Sequence, residues 1–132
     1  QISDYKKISK DLMLDKKVFF TGPRVEVNHF YNISDIFIFP SHYEPFGNVV
    51  LEAMSYGNAI FTTKKTGASE IIDSDFVMKT PADDSVVNKI RILLENPLRL
   101  AEIKKNNLDK SKNFSIEKNV TEVLRVVNEV IN

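Results

Sequence analysis

"FPSHYEPFGNVVLEAMSYGN", Phe39 to Asn58, is the most apolar stretch of the chain, yet it carries two carboxylates, Glu44 and Glu52, eight positions apart. Glu44 follows an apolar run closed by Pro40, and Glu52 interrupts a second run, with Val49-Val50-Leu51 before it and Ala53-Met54 after it. A short run rich in Phe and Ile that stops at proline reads as a buried strand, and the run after it as a helix from Asn48 to Tyr56. In the loop between them Pro45 restricts the helix entry, Gly47 lets backbone approach a ligand closely, and Asn48 is an acceptable N-cap. The free amides near Gly47, Asn48 and Val49 then sit at the positive end of the helix dipole, where a phosphate is well accommodated. Glu52 lies one turn into that helix, so both acids are expected to face one crevice. A carboxylate accepts one hydrogen bond per oxygen from two adjacent hydroxyls, as sugars and riboses present them, and a nucleotide sugar joins two such groups through a diphosphate. The residues alone support a plainer reading equally well, with Glu52 satisfied by helix amides or a lysine and Glu44 a solvated turn residue.

Outward from this stretch, short apolar runs alternate with helical patterns. Lys17–Gly22, Asp35–Pro40, Asn58–Thr63 and Asp75–Thr80 read as strands, and Lys6–Leu14, Val27–Ile33, Asn48–Tyr56 and Ala68–Ile72 as helices. The apolar residues of the strands are contiguous, as in a parallel sheet covered on both faces. The expected fold class is therefore α/β, a Rossmann-like open parallel sheet of about four strands flanked by helices. After Pro81 only helices follow, giving a helical C-terminal tail. One is stopped by Asn96-Pro97, a second carries Leu98, Leu100 and Ile103, and a third, capped by Ser115, aligns Ile116, Val120, Val123, Leu124, Val127, Val130 and Ile131. That stripe is read as a packing face. A helix precedes the first strand, so the chain is expected to be a single, partial domain over residues 1–132 that begins part-way through a fold.

Composition narrows the function. With 18 basic and 18 acidic side chains the net charge is zero, so nothing sequence-wide attracts nucleic acid or an anionic membrane, and any anion must be caught locally. No cysteine and two isolated histidines, His29 and His42, make a poor metal set. The opening "QISDYKKISKDL" has no apolar core of a signal peptide, and no apolar run approaches the ~20 residues of a membrane span. Asp73-Ser74-Asp75 has the Asp-x-Asp form of a metal motif but reads as a turn, and His42 reads as a turn residue before a phosphate partner.

In this order, Ser34-Asp35-Ile36, "FPS" at Phe39–Ser41, the Glu-x7-Glu pair inside "EPFGNVVLEAMSYG", "AIFTT" and "TGASEII" at Thr66–Ile72 resemble the donor-binding region of family 4 glycosyltransferases, retaining enzymes of the GT-B architecture. Weaker similarity runs from "VFFTG" at Val18 to the "NFSIEKN" helix, so nearly the whole chain resembles the later part of that family's C-terminal domain. The resemblance implies transfer of a sugar from a nucleotide diphosphate sugar, with no cofactor and no required metal. It implies that Glu52 binds the ribose and that Glu44, the catalytic candidate, contacts the transferred sugar as nucleophile or as positioning group. The amides of Phe46, Gly47, Asn48 and Val49 would hold the sugar or diphosphate, and Pro23, Arg24 and Val25 would lie near the base. "TGASE" would close the same crevice or act as a mere helix cap. Its partners would be the nucleotide sugar, an N-terminal domain or separate chain, and a sugar or lipid-linked acceptor, with no nucleic acid. Cytoplasmic localisation follows by association, peripheral to the inner membrane face. The family's basic pair for the diphosphate falls outside this chain, and the glycine-bearing loop after "EII" is shortened to "DSDFVMK". A two-carboxylate glycosidase is set aside because the helix turn carries Glu52 beyond the sugar. The alternative of a different class is a non-catalytic binding or assembly module of the same fold.

Overall fold

The computed structural model describes residues 2–131. Its elements in chain order are α1 (Ile2–Asp11), α2 (Asn28–Ile33), β1 (Ile36–Phe39), α3 (Asn48–Ser55), β2 (Ala59–Thr63), β3 (Val77–Met78), α4 (Ser85–Glu95), α5 (Pro97–Ser111) and α6 (Ile116–Ile131). Two 3₁₀ turns, Gly67–Glu70 and Ser74–Phe76, join β2 to β3. The strands form one parallel sheet in the order β1-β2-β3, with Ile36 opposite Ala59 and Thr62 opposite Val77. The α/β class and the parallel pairing agree with the sequence reading.

The sheet has three strands among the described residues where about four are expected. Lys17–Gly22 forms no ladder, and its Phe19 is 78% exposed. Apolar β-formers become a strand only against a partner, and here the sheet ends at β1. Two further expectations shift: the helix expected over Ala68–Ile72 is a 3₁₀ turn at Gly67–Glu70, and the strand expected over Asp75–Thr80 shrinks to two residues behind the second turn. There Asp73 accepts from the Asp75 amide at 3.0 Å, so Asp-Ser-Asp is a capped turn, as read.

The core lies between α3, β2 and α5. Every residue of β2 is buried, and Val50, Ala53 and Met54 of α3 pack on it beside Phe61, Phe76 and Leu93. Each large side chain buried in this way contributes about 1.5–3 kcal/mol relative to exposure. The two buried threonines that end β2 are satisfied through β1: Thr62 donates to the Phe39 carbonyl at 2.9 Å and Thr63 to that of Ser41. These bonds fix where the chain leaves the sheet, which sets the loop carrying Glu44. On the far side, Asn107 of α5 donates to the Asn58 carbonyl at 2.8 Å, and Asn58 donates to the carbonyls of Tyr31 and Ser34, anchoring α2 to the start of β2.

The third C-terminal helix departs from expectation. Ser115 caps α6 as read, its hydroxyl accepting from the Lys118 amide at 3.3 Å. Its apolar stripe, however, is not a packing face here: no α6 residue is buried, and Val130 is 80% exposed.

Candidate functional site

The site is built from two loops at the carboxyl ends of β1 and β2. Gly47 has φ +86°, a left-handed conformation that glycine adopts without strain, and it turns the chain from "YEPF" into α3. It occupies the N-cap position that the sequence suggests for Asn48, which is instead the first helical residue, and no side chain caps this end. The first amide to find a backbone acceptor is that of Val50, on the Gly47 carbonyl at 2.8 Å. The amides of Gly47, Asn48 and Val49 have no acceptor among the described residues, as expected for a helix end open to an anion.

The "TGASE" loop clamps the first loop from below. The Glu44 amide donates to the Lys65 carbonyl, the Gly67 amide to the Glu44 carbonyl, both at 3.0 Å, and the Ala68 amide to the Phe46 carbonyl at 2.7 Å. Gly67 is required by contact: a Cβ there would stand 2.2 Å from the Pro45 carbonyl oxygen. Thr66 stands at the N-cap position of the 3₁₀ turn but makes no side-chain cap bond, its hydroxyl lying instead 3.1 Å from that of Thr62.

Glu52 leaves α3 on its exposed side and accepts a hydrogen bond from the Tyr31 hydroxyl at 3.2 Å. Neither helix amides nor a lysine hold it. Tyr31 is only 7% exposed, packed edge-on against Phe37 and beside Tyr56. Burial first, and then the Glu52 charge and hydrogen bond, push the Tyr31 hydroxyl above its ordinary 10.0. It therefore stays a donor at neutral pH and orients Glu52 through one oxygen, while both carboxylate oxygens keep acceptor capacity to spare.

Glu52 lines an open cavity of about 860 Å³, together with Phe46, Asn48 and Leu51 on the α3 side and, at the start of α6, its cap Ser115 and Lys118. That volume suits a nucleotide-sized ligand. Glu44 does not line it: half-buried on the clamped loop, its Cγ would lie 3.3 Å from a Cβ placed on Gly47. The two acids flank the same helix end without sharing one wall. Gly47 is buried and Val49 half-buried at that end. Pro23, Arg24 and Val25 are all exposed on the loop before α2, Val25 fully, and none lines this cavity. Among the described residues no group of three or more His, Asp or Glu could hold a metal ion.

The sequence reading missed Tyr31 and Lys118. No local signal marks Tyr31, whose partner is 21 residues away, while Lys118 lies in the "NFSIEKN" segment, which the sequence marks as a capped helix start and not as a site.

The family model for glycosyl transferases group 1 matches residues 3–110. The chain belongs to this family. Among curated proteins, the lipopolysaccharide core biosynthesis mannosyltransferase LpsB of Rhizobium meliloti is 29% identical over 119 residues, covering 86% of this chain and 34% of that protein. The sulfoquinovosyl transferase SQD2 of Arabidopsis thaliana is 35% identical over 100 residues, covering 70% of this chain and 20% of that protein. The chain thus spans at most about a third of the length of these relatives. In fold it matches Anabaena HepE in complex with UDP at TM-score 0.87 and 22% identity, over 97% of this chain and 36% of that one. The C-terminal domain of the group 1 protein LpcC from Francisella tularensis matches at TM-score 0.73 and 26% identity, over 84% of this chain and 60% of that one. No helix among the described residues is long and apolar enough to cross a membrane.

Proposed function

We propose that this chain is the donor-binding part of a retaining, family 4 glycosyltransferase of GT-B architecture, which moves a sugar from a nucleotide diphosphate sugar to an acceptor. The observation that carries this reading is the Glu52 cavity, where a carboxylate oriented by a buried tyrosine shares the wall with Asn48, at a helix end whose first amides are unpaired. Glu52 receives the two ribose hydroxyls. The amides of Phe46, Gly47, Asn48 and Val49 meet the diphosphate and sugar, and the exposed loop at Pro23, Arg24 and Val25 covers the base. As the bond to the diphosphate breaks, negative charge grows on the departing oxygen and the sugar carbon becomes cationic. Dipoles fixed in advance at the helix end stabilise the first, and the nearby Glu44 carboxylate the second. The reaction so drawn uses no resident metal. A second unit, an N-terminal domain or a separate chain, takes part in holding the acceptor, at the cytoplasmic face of a membrane.

HepE, a protein of like fold, is known in complex with UDP and with UDP-glucose, which supports a nucleotide sugar as the ligand class. Calorimetric titration with UDP, GDP and their sugars tests the reading. Saturable heat from one nucleotide family is expected; no heat from any of them leaves the non-catalytic assembly module in its place.

A further inference from the structure

A second open cleft, of about 500 Å³, lies at the carboxyl ends of all three strands and shares no lining residue with the Glu52 cavity. Ser41 and His42 reach it from β1, Lys64 and Lys65 from β2, and Lys79 and Thr80 from β3. The backbone around it is fixed. Lys64 donates its amide to the Met78 carbonyl at 3.0 Å, the Lys65 carbonyl receives the Glu44 amide, and Thr63 ties the wall to the Ser41 carbonyl.

The ammonium groups of Lys64 and Lys65, by contrast, have no ion-pair partner among the described residues, and Lys79 has only the nearby Asp83 charge. The ion pairs among the described residues join Lys104 to Asp35, Lys112 to Asp109, and Arg125 to Glu122 and Glu129, and involve none of the three. Asp83, four residues beyond Lys79, is held low, at about 2, first by the Ser85 hydroxyl and the amides of Lys79 and Ser85 at 2.8 and 3.1 Å, and then by the Lys79 charge, so Lys79 is partly compensated where Lys64 and Lys65 are not. Like charges set around one cleft from the ends of β2 and β3 repel one another, and a chain of zero net charge has no general need of such a pool. An anion entering the hollow relieves that repulsion.

Resting on the donor reading above, we infer that this cleft holds the anionic group, a phosphate or a carboxylate, of the acceptor. The "YEPF" loop runs from this cleft at His42 to the Glu52 cavity at Phe46, with Glu44 between them. A donor lying along α3 presents its sugar at Glu44. An acceptor must approach that sugar from the side away from the nucleotide, the side that the lysines occupy.

The test is a pair of NMR titrations of the amide spectrum, with inorganic phosphate and with UDP, on the wild type and on a Lys64→Gln/Lys65→Gln/Lys79→Gln variant. Phosphate is expected to shift the amides of Lys64, Lys65 and Lys79 saturably and to bind the variant about tenfold or more weakly. UDP affinity, read at Asn48 and Glu52, should change less than about twofold in the variant, since its site is separate. A parallel titration with acetate shows whether phosphate or carboxylate is the preferred group. Equal phosphate affinity in both proteins, or no saturable shift at the cleft, overturns the inference. A variant that loses UDP as severely as phosphate overturns it too, by assigning the lysines to the donor diphosphate. If phosphate binds the cleft while UDP binds nowhere, the donor reading falls and the acceptor assignment with it, whereas loss of the phosphate arm alone removes only the acceptor assignment.

Discussion

Helices α3 and α6 look alike as patterns and behave oppositely as structure. In α3, eight residues long, Val50, Ala53 and Met54 are completely excluded from solvent while Glu52 stands exposed at a cavity. In α6, twice that length and with a cleaner apolar stripe, no residue is buried. An apolar stripe states that a face is suited to cover, and only the chain around it decides whether anything covers it. The functional groups follow the same division. Those on α3 are held to a fixed backbone by β2 and the Gly67 clamp, whereas Lys118 reaches the cavity from a helix with few constraints.

The contrast predicts a graded set of mutational effects. At the buried end, Phe61→Ala removes a fully buried ring packed edge-on against Phe76, and a loss of about 3–5 kcal/mol is expected in urea unfolding. A loss under about 1 kcal/mol, the scale of a surface change, would show that the core is not where it is placed here. Gly67→Ala drives a Cβ into the Pro45 carbonyl and should cost about 1–3 kcal/mol while shifting the amide resonances of Glu44 and Phe46. Unshifted resonances would dissolve the clamp.

Tyr31→Phe keeps the ring packing and removes the hydroxyl held by Glu52, costing about 0.5–1.5 kcal/mol at neutral pH. The Tyr31 hydroxyl is raised in the folded chain above its unfolded 10.0, so its contribution is complete below pH 10 and is lost as pH rises through the folded value. Wild-type stability should therefore fall towards that of Tyr31→Phe in alkali, and a constant gap between the two would contradict the hydrogen bond. At the exposed end, Leu124→Gln, on a residue 56% exposed, should change stability by less than about 0.5 kcal/mol. A large loss would sharpen the comparison differently, since α6 would then be covered in solution by another copy of the chain.

The parts of the molecule legible in the sequence were those whose determinants are local. Pro40 ends a contiguous apolar strand, Asn96-Pro97 divides α4 from α5, and Asp73 caps its own turn. Gly47 was recognisable as a turning point, although the cap moved onto it from Asn48. What depended on distant chain was not legible. Lys17–Gly22 has strand composition and no neighbour to pair with, and the stripe of α6 says nothing of its partner. The bond from Tyr31 to Glu52 crosses from one helix to another, and the lysine cleft exists only because three strands end side by side. Glu44 and Glu52 were rightly placed at one helix end, but helical rotation and the clamped loop set them on different walls.

The central claim, that Glu52 holds ribose hydroxyls, is tested most directly by titrating wild type and Glu52→Gln with UDP and with its 2′,3′-dideoxy analogue. Wild type should prefer UDP by about 2 kcal/mol or more, since hydrogen bonds to a charged group contribute about 1.5–3 kcal/mol each, and Glu52→Gln should lose most of that preference. An equal preference for UDP in both proteins would contradict the claim.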